Sequence, residues 1–232
     1  LEHFSRPLYQ TFETEAGIQS FVRYAEAVTQ RLYQAGVRQI VTFNEVGVEP
    51  FQGYIMGEFP PYHRVDFEGA ARFFTNMMRA HTRVYLALKT KYSDLEVGFS
   101  HDPIRFRHFH KYHPIWSPIE RLVCKTLTAV NHTMVMDALK TGNVTLKIPF
   151  LCNYNVRLEQ PVPFDFIGLQ YYTDPLVKLS LLGGESATRV PEEKITAYLF
   201  RQYPQGLASA IDEMSSFGKP IDLTEIGIDT GI

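Results

Sequence analysis

The sequence predicts an α/β fold with a parallel sheet, closed as a (β/α)8 TIM barrel. Three observations carry this. Short apolar strands alternate with long amphipathic helices, which implies right-handed crossovers between parallel strands. No G-x-G-x-x-G or P-loop motif supports a nucleotide-binding sheet. Polar residues of chemical interest stand where strands end, at Asn44-Glu45, Gln170 to Tyr172 and Glu225. Periodicity alone leaves an open doubly wound sheet and a barrel in competition. The strand-end residues decide between them, because in a barrel those ends converge on one mouth.

The elements follow in order. From Glu15 to Ala35, residues Ile18, Phe21, Val22, Ala25, Val28 and Leu32 recur at helical spacing, with Gly36 as the C-terminal cap. Val37 to Phe43 reads as a strand. A second helix spans about Phe67 to Tyr92, with Ala70, Phe73, Phe74, Met77, Val84 and Leu88 on one face. Glu96 to Phe99 is a short strand. Ser117 as cap and Pro118 in the first turn open a third helix that ends near Gly142. Phe164 to Leu169 is a strand running into Gln170. Pro191 opens a helical region that breaks at Pro204 and resumes from Gly206 to Phe217. Ile221 to Leu223 is the last strand, ending at Thr224-Glu225. No repeat or flexible linker divides the chain, so residues 1–232 are drawn as one domain.

Composition narrows the function classes. With 45% hydrophobic and 21% charged residues, the chain has the balance of a soluble globular protein. A formal net charge of −2 calls for neither nucleic acid nor an anionic membrane as partner. No stretch approaches the roughly 20 apolar residues of a membrane span. The N-terminus shows neither Met nor a signal-peptide pattern, which suggests a truncated start with room for a signal upstream; the compartment is left open, with a cytoplasmic location as the leaning. Cys124 and Cys152 form no C-x-x-C pair and read as buried free thiols.

Two glutamates after two apolar strands suggest a chemistry. Retaining hydrolysis of a glycosidic bond takes two carboxyl groups about 5–5.5 Å apart, one attacking the anomeric carbon and the other exchanging protons. Carboxyls that close push their pKa values apart, which keeps one protonated near neutral pH. Glu45 and Glu225 are distant in sequence, yet a barrel can bring them together. Against this stands the commoner role of such a residue, a helix cap or a solvated loop charge.

Local motifs add weight. Thr42-Phe43-Asn44-Glu45, followed by Gly53-Tyr54, Gly57 and Pro60-Pro61, resembles the T-F-N-E-P…G-Y…G…P-P signature of glycoside hydrolase family 1. Asp165 to Thr173 resembles that family's D-F-I-G-I-N-Y-Y-T strand, and Pro220 to Gly227 its P-I-Y-I-T-E-N-G strand. Leu1-Glu2-His3-Phe4 with Pro7-Leu8, and Ala80-His81, resemble two further segments. The resemblance implies a retaining β-glycosidase, with β-glucosidase the first expectation, acting on a carbohydrate without cofactor or metal. It implies Glu45 as acid/base, Glu225 as nucleophile and Tyr172 as the residue orienting that nucleophile. His3, Asn44 and Gln170 fall to substrate binding. The runner-up is a catalytically impaired barrel that binds sugar.

Four departures stand beside the motifs. Val46 replaces the family's Pro and is expected to loosen the backbone. Gln170 replaces Asn, Ile226 replaces Asn, and Phe4 replaces a common Trp. By the family's plan the chain runs from about the third to the seventh strand, so the barrel is expected to be incomplete, with open sheet edges. The run His101 to His113, holding His101, His108, His110 and His113, reads as a solvated loop rather than a metal site. The Phe73, Phe74, Met77 and Met78 cluster reads as core, and Gly183-Gly184 as a loop turn.

Overall fold

The computed structural model describes residues 10–179 and 202–227 of the chain. His3 and Phe4, the Pro7-Leu8 segment, Gly183-Gly184 and the helix start at Pro191 lie outside the described residues.

A short 3-10 turn, Gln10–Glu13, leads into helix α1, Glu15–Gln34. Thr14 caps α1 by accepting from the Gly17 N–H at 3.1 Å. Strand β1 is Gln39–Val41. A short helical segment, Val48–Pro50, and a π-helical turn, Phe51–Met56, precede helix α2, Phe67–Lys91, which Asp66 caps. Strand β2 is Glu96–His101 and the brief strand β3 is Arg107–His108. Helix α3, Trp116–Thr128, passes through a π-helical turn at Ala129–Thr133 into helix α4, Met134–Thr141. Strands β4, Asn143–Ile148, and β5, Cys152–Arg157, form an antiparallel hairpin. Strand β6 is Ile167–Tyr171, β7 is Leu176–Val177, helix α5 is Pro204–Ser215, and β8 is Ile221–Ile226.

Several expectations shift. Trp116, not Ser117, begins α3, and the Ser117 hydroxyl donates instead to the Lys111 carbonyl at 3.2 Å. Helix α5 starts at Pro204 itself rather than at Gly206, since a first-turn residue needs no N–H for the helical ladder, and the region expected to be helical from Pro191 lies outside the described residues up to residue 201. The β4–β5 hairpin is new: Val144, Leu146 and Ile148 alternate inward there.

The principal sheet has the order β1-β2-β6-β8, all parallel. Laid flat, three strand spacings would set β1 about 14 Å from β8. Yet Gln39 on β1 donates to the Asp222 carboxylate on β8 at 2.7 Å. The sheet therefore curls, as part of an incomplete (β/α)8 barrel, with α2 and α5 against its convex side. Among the described residues β1 and β8 remain edges. Phe74, Met77 and Met78 of α2 are buried with Phe99 and Leu169 of the sheet. No helix among the described residues is long and apolar enough to cross a membrane.

Two contacts fix the layers. Asp165, just before β6, accepts from the Val97 N–H at 3.0 Å, Lys89 Nζ at 3.0 Å and the Tyr85 hydroxyl at 2.9 Å, joining β2, α2 and β6. Gly206 lets α5 approach β6: a Cβ there would stand 1.9 Å from the Tyr171 hydroxyl oxygen. Replacing Asp165 with Ala removes three charge-assisted bonds from a partly buried joint. The expected cost is about 2–3 kcal/mol, read as a lower urea midpoint at unchanged m-value.

Candidate active site

The chain leaves β1 through a corner that sets Glu45. Its φ is +46°, in the left-handed region that non-glycine residues seldom occupy. The surroundings hold this corner: the Ser100 N–H donates to the Phe43 carbonyl at 2.9 Å, and the Val46 N–H to the Ser100 carbonyl at 3.1 Å. The loosening expected at Val46 is therefore not found. Its side chain is wholly buried, and its N–H makes a bond that proline could not.

Across the curl, Gln170 joins the ends of β1 and β8. Its buried side-chain nitrogen donates to Asn44 Oδ1 at 2.7 Å and to Glu225 Oε1 at 2.6 Å. The Tyr172 hydroxyl donates to the other oxygen, Glu225 Oε2, at 2.5 Å. A β-bulge permits this meeting. Leu169 pairs with Leu223, but Gln170 pairs with Glu225, so Thr224 is an extra residue in β8. A regular ladder would set Thr224 opposite Gln170 and turn Glu225 to the outer face. Gly168 leaves room on the inner face for the Thr224 side chain. Tyr171 points the other way, its hydroxyl donating to the Tyr203 carbonyl at 2.7 Å.

Charge is concentrated along this edge. Burial, and then the Glu225 and Glu49 charges, raise the pKa of Glu45. The hydrogen bond to Glu225 is the main reason the Tyr172 phenol is pushed up to about 12. A third carboxyl, Asp102, follows β2 and had no motif to mark it. Burial, and then the charges of Glu45, Asp174 and Glu225, push it from 3.8 up to about 8. Its Oδ1 has no hydrogen-bond partner among the described residues.

The histidine run is only in part the solvated loop expected: Lys111 to His113 are exposed, but its beginning is not. His101 is wholly buried at the end of β2, bonded to His132. His110 is held by the buried Glu120, whose carboxylate accepts from its ring Nδ1 at 2.6 Å and its backbone N–H at 2.7 Å. His81, also wholly buried, donates to the Pro163 carbonyl and accepts from the Thr42 hydroxyl, each at 2.7 Å. Burial pushes it down to about 4, so it serves as a neutral strut. Among the described residues no three His, Cys, Asp or Glu side chains gather as a metal site would require.

Of the sequence-derived site residues, the structure brings together Asn44, Gln170, Tyr172 and Glu225 by direct bonds, with Glu45 on the same edge. His3 lies outside the described residues.

The model of glycosyl hydrolase family 1 matches residues 3–111. A 6-phospho-beta-galactosidase of Clostridium acetobutylicum is 35% identical over 105 residues, which is 44% of this chain and 22% of that protein. One from Staphylococcus epidermidis is 34% identical over the same shares. In fold, a beta-glycosidase from Pyrococcus horikoshii superposes at a TM-score of 0.72 and 24% identity, covering 95% of this chain and 49% of that one. A beta-glucosidase from Exiguobacterium marinum superposes at 0.72 and 18% identity, covering 94% and 51%. The chain thus spans about half the length of these solved structures, and its sequence match spans 22% of the curated relatives.

Asp102 makes a test of the site's electrostatics. Its folded pKa lies above its unfolded one, so its favourable contribution is complete below about pH 4 and is lost as pH rises towards 8. Asp102→Asn keeps the shape without the charge. It is expected to leave stability near pH 4 unchanged and to raise it at pH 8 by about 1–3 kcal/mol. Thermal melts across that range check both sign and slope.

Proposed function

We propose that this chain belongs to glycosyl hydrolase family 1, whose model matches residues 3–111, and supplies the catalytic carboxyls of a retaining β-glycosidase. One observation carries the reading. Glu45 and Glu225 stand on the same edge of one curled sheet in unlike settings: Glu45 partly buried with a raised pKa, Glu225 exposed and accepting at both oxygens.

Those settings fit two different tasks. Glu225, turned by Gln170 and Tyr172, is the nucleophile: its oxygen bonds to the anomeric carbon as the bond to the leaving oxygen breaks. Glu45 is the acid/base and gives its proton to that leaving oxygen. The covalent ester then removes the Glu225 charge, one of the causes that raise Glu45. The pKa of Glu45 falls, so it stays ionised after giving up its proton; as a carboxylate it takes a proton from water, and the new hydroxyl displaces Glu225. Two displacements at one carbon give net retention. Asn44, held by Gln170, reaches a hydroxyl beside the reacting carbon, and His3 belongs to the same sugar-binding set.

The glycone is a terminal β-linked sugar. The expectation from motifs is a β-glucoside, and the names of the curated relatives add 6-phospho-β-galactosides as the second class to assay.

Incubating the full-length protein with 2-fluoro glycosides of both classes is expected to label Glu225 covalently, as seen by peptide mass. Label on another residue, or none with either sugar, overturns the reading. Glu225→Gln should lower turnover on the order of 10⁴-fold or more. Glu45→Gln should preserve the first step for aryl glycosides with good leaving groups and slow the hydrolysis that follows, leaving a burst and then a low steady rate.

A further inference from the structure

Behind Glu45 lies a buried chain of polar groups that the double displacement does not use. His101 Nε2 and His132 Nδ1 are 3.0 Å apart, with the rings nearly parallel at 12°. His132 Nε2 lies 2.8 Å from Glu213 Oε2, and Arg105 donates to that same oxygen. The Glu213 carboxylate can only accept, so His132 donates to it. Arg105 anchors the far end, and His132 and Arg105 hold Glu213 down to about 2.

The near end meets the Glu45 corner. Gly47, two residues beyond Glu45, packs directly on this assembly. A Cβ on it would stand 2.0 Å from the Asn131 carbonyl oxygen and 3.1 Å from Cε1 of the His101 ring. The Val46 N–H is bonded to Ser100, the residue before His101. The Val48 N–H returns to the Glu45 carbonyl at 2.8 Å. The left-handed conformation of Glu45 is thus held between two hydrogen bonds to Ser100 of β2 and one wall made of Asn131 and His101.

We propose that His101 is a positioning residue for Glu45: locked by His132, Glu213 and Arg105, its ring braces the Val46-Gly47 turn and so sets where the Glu45 carboxyl stands. This rests on the reading of Glu45 as the acid/base. Its surroundings agree with the role. Burial, followed by the nearby His132, holds His101 neutral well below the usual histidine range, so the brace keeps its shape across the working pH. The carboxyls whose charges act on Glu45 are Glu225 and Glu49, and Asp102 shares the same edge.

Two variants test it in the full-length protein. His101→Ala removes the brace. Glu213→Gln, on the half-exposed face of α5, loosens it from behind without touching the corner. Hydrolysis is compared for an alkyl glycoside, whose departure needs a proton, and a dinitrophenyl glycoside, whose departure does not. The expected result is a loss of about tenfold or more in kcat/KM, which reports the glycosylation step, for the alkyl substrate, with little change in kcat/KM for the dinitrophenyl one. Equal losses for both substrates, or none, overturn the proposal. If His101→Ala does not fold, Glu213→Gln decides by the same pattern. A second readout needs no turnover: carboxyl ¹³C NMR follows the titration of Glu45. Its midpoint is expected to fall by about half a pH unit or more towards the ordinary range as the carboxyl leaves its buried position. An unchanged midpoint in a folded variant overturns the proposal even if the wild-type protein hydrolyses no glycoside, which is the separate failure of the functional reading.

Discussion

One buried nitrogen ties the two ends of the curled sheet together. The side-chain amide of Gln170 has two N–H bonds in one plane, and both are committed, one to Asn44 and one to Glu225. Glu225 as a carboxylate offers only acceptor oxygens, so the amide cannot be turned over without setting oxygen against oxygen. The residues at the ends of β1 and β8 are therefore oriented by a group on β6 that touches both. The longer side chain where the family has Asn is what spans this gap in the present structure.

The larger features could be read in the sequence because they follow local rules. Apolar periodicity marked α1 and α2, and glycines marked where α1 and α4 end. The motifs around Glu45, Gln170, Tyr172 and Glu225 named the residues that the sheet gathers. Strict alternation, however, places Glu225 on the outer face, and only the extra residue Thr224 corrects it. A bulge depends on how two strands register, and one strand's sequence does not contain that.

Other parts were illegible for a related reason. His101, His132 and Glu213 lie 31 and 81 residues apart along the chain, on a strand, a π-helical turn and a helix. No spacing rule links them, and each looks like an ordinary polar residue on its own element. Asp102 follows a histidine in a run rich in charge, which suggests solvent, whereas the layers packed over β2 exclude it. The Ser117-Pro118 pair carries a helix-start signal, but the nearby Lys111 carbonyl claims the serine hydroxyl. In each case a tertiary contact outweighs the local preference.

Helix α5 spans two parts of the edge. Its first turn is seated on β6, because Gly206 admits the Tyr171 hydroxyl. Seven residues on, about 10 Å along the axis, the same helix carries Glu213, the acceptor at the end of the histidine chain. Tyr171 adjoins both Gln170 and Tyr172, which hold Glu225. One helix therefore packs against the strand that holds Glu225 and ends the chain that reaches the Glu45 corner. A residue with no side chain thereby sets how closely the helix that closes the histidine chain sits on the strand beside Glu225.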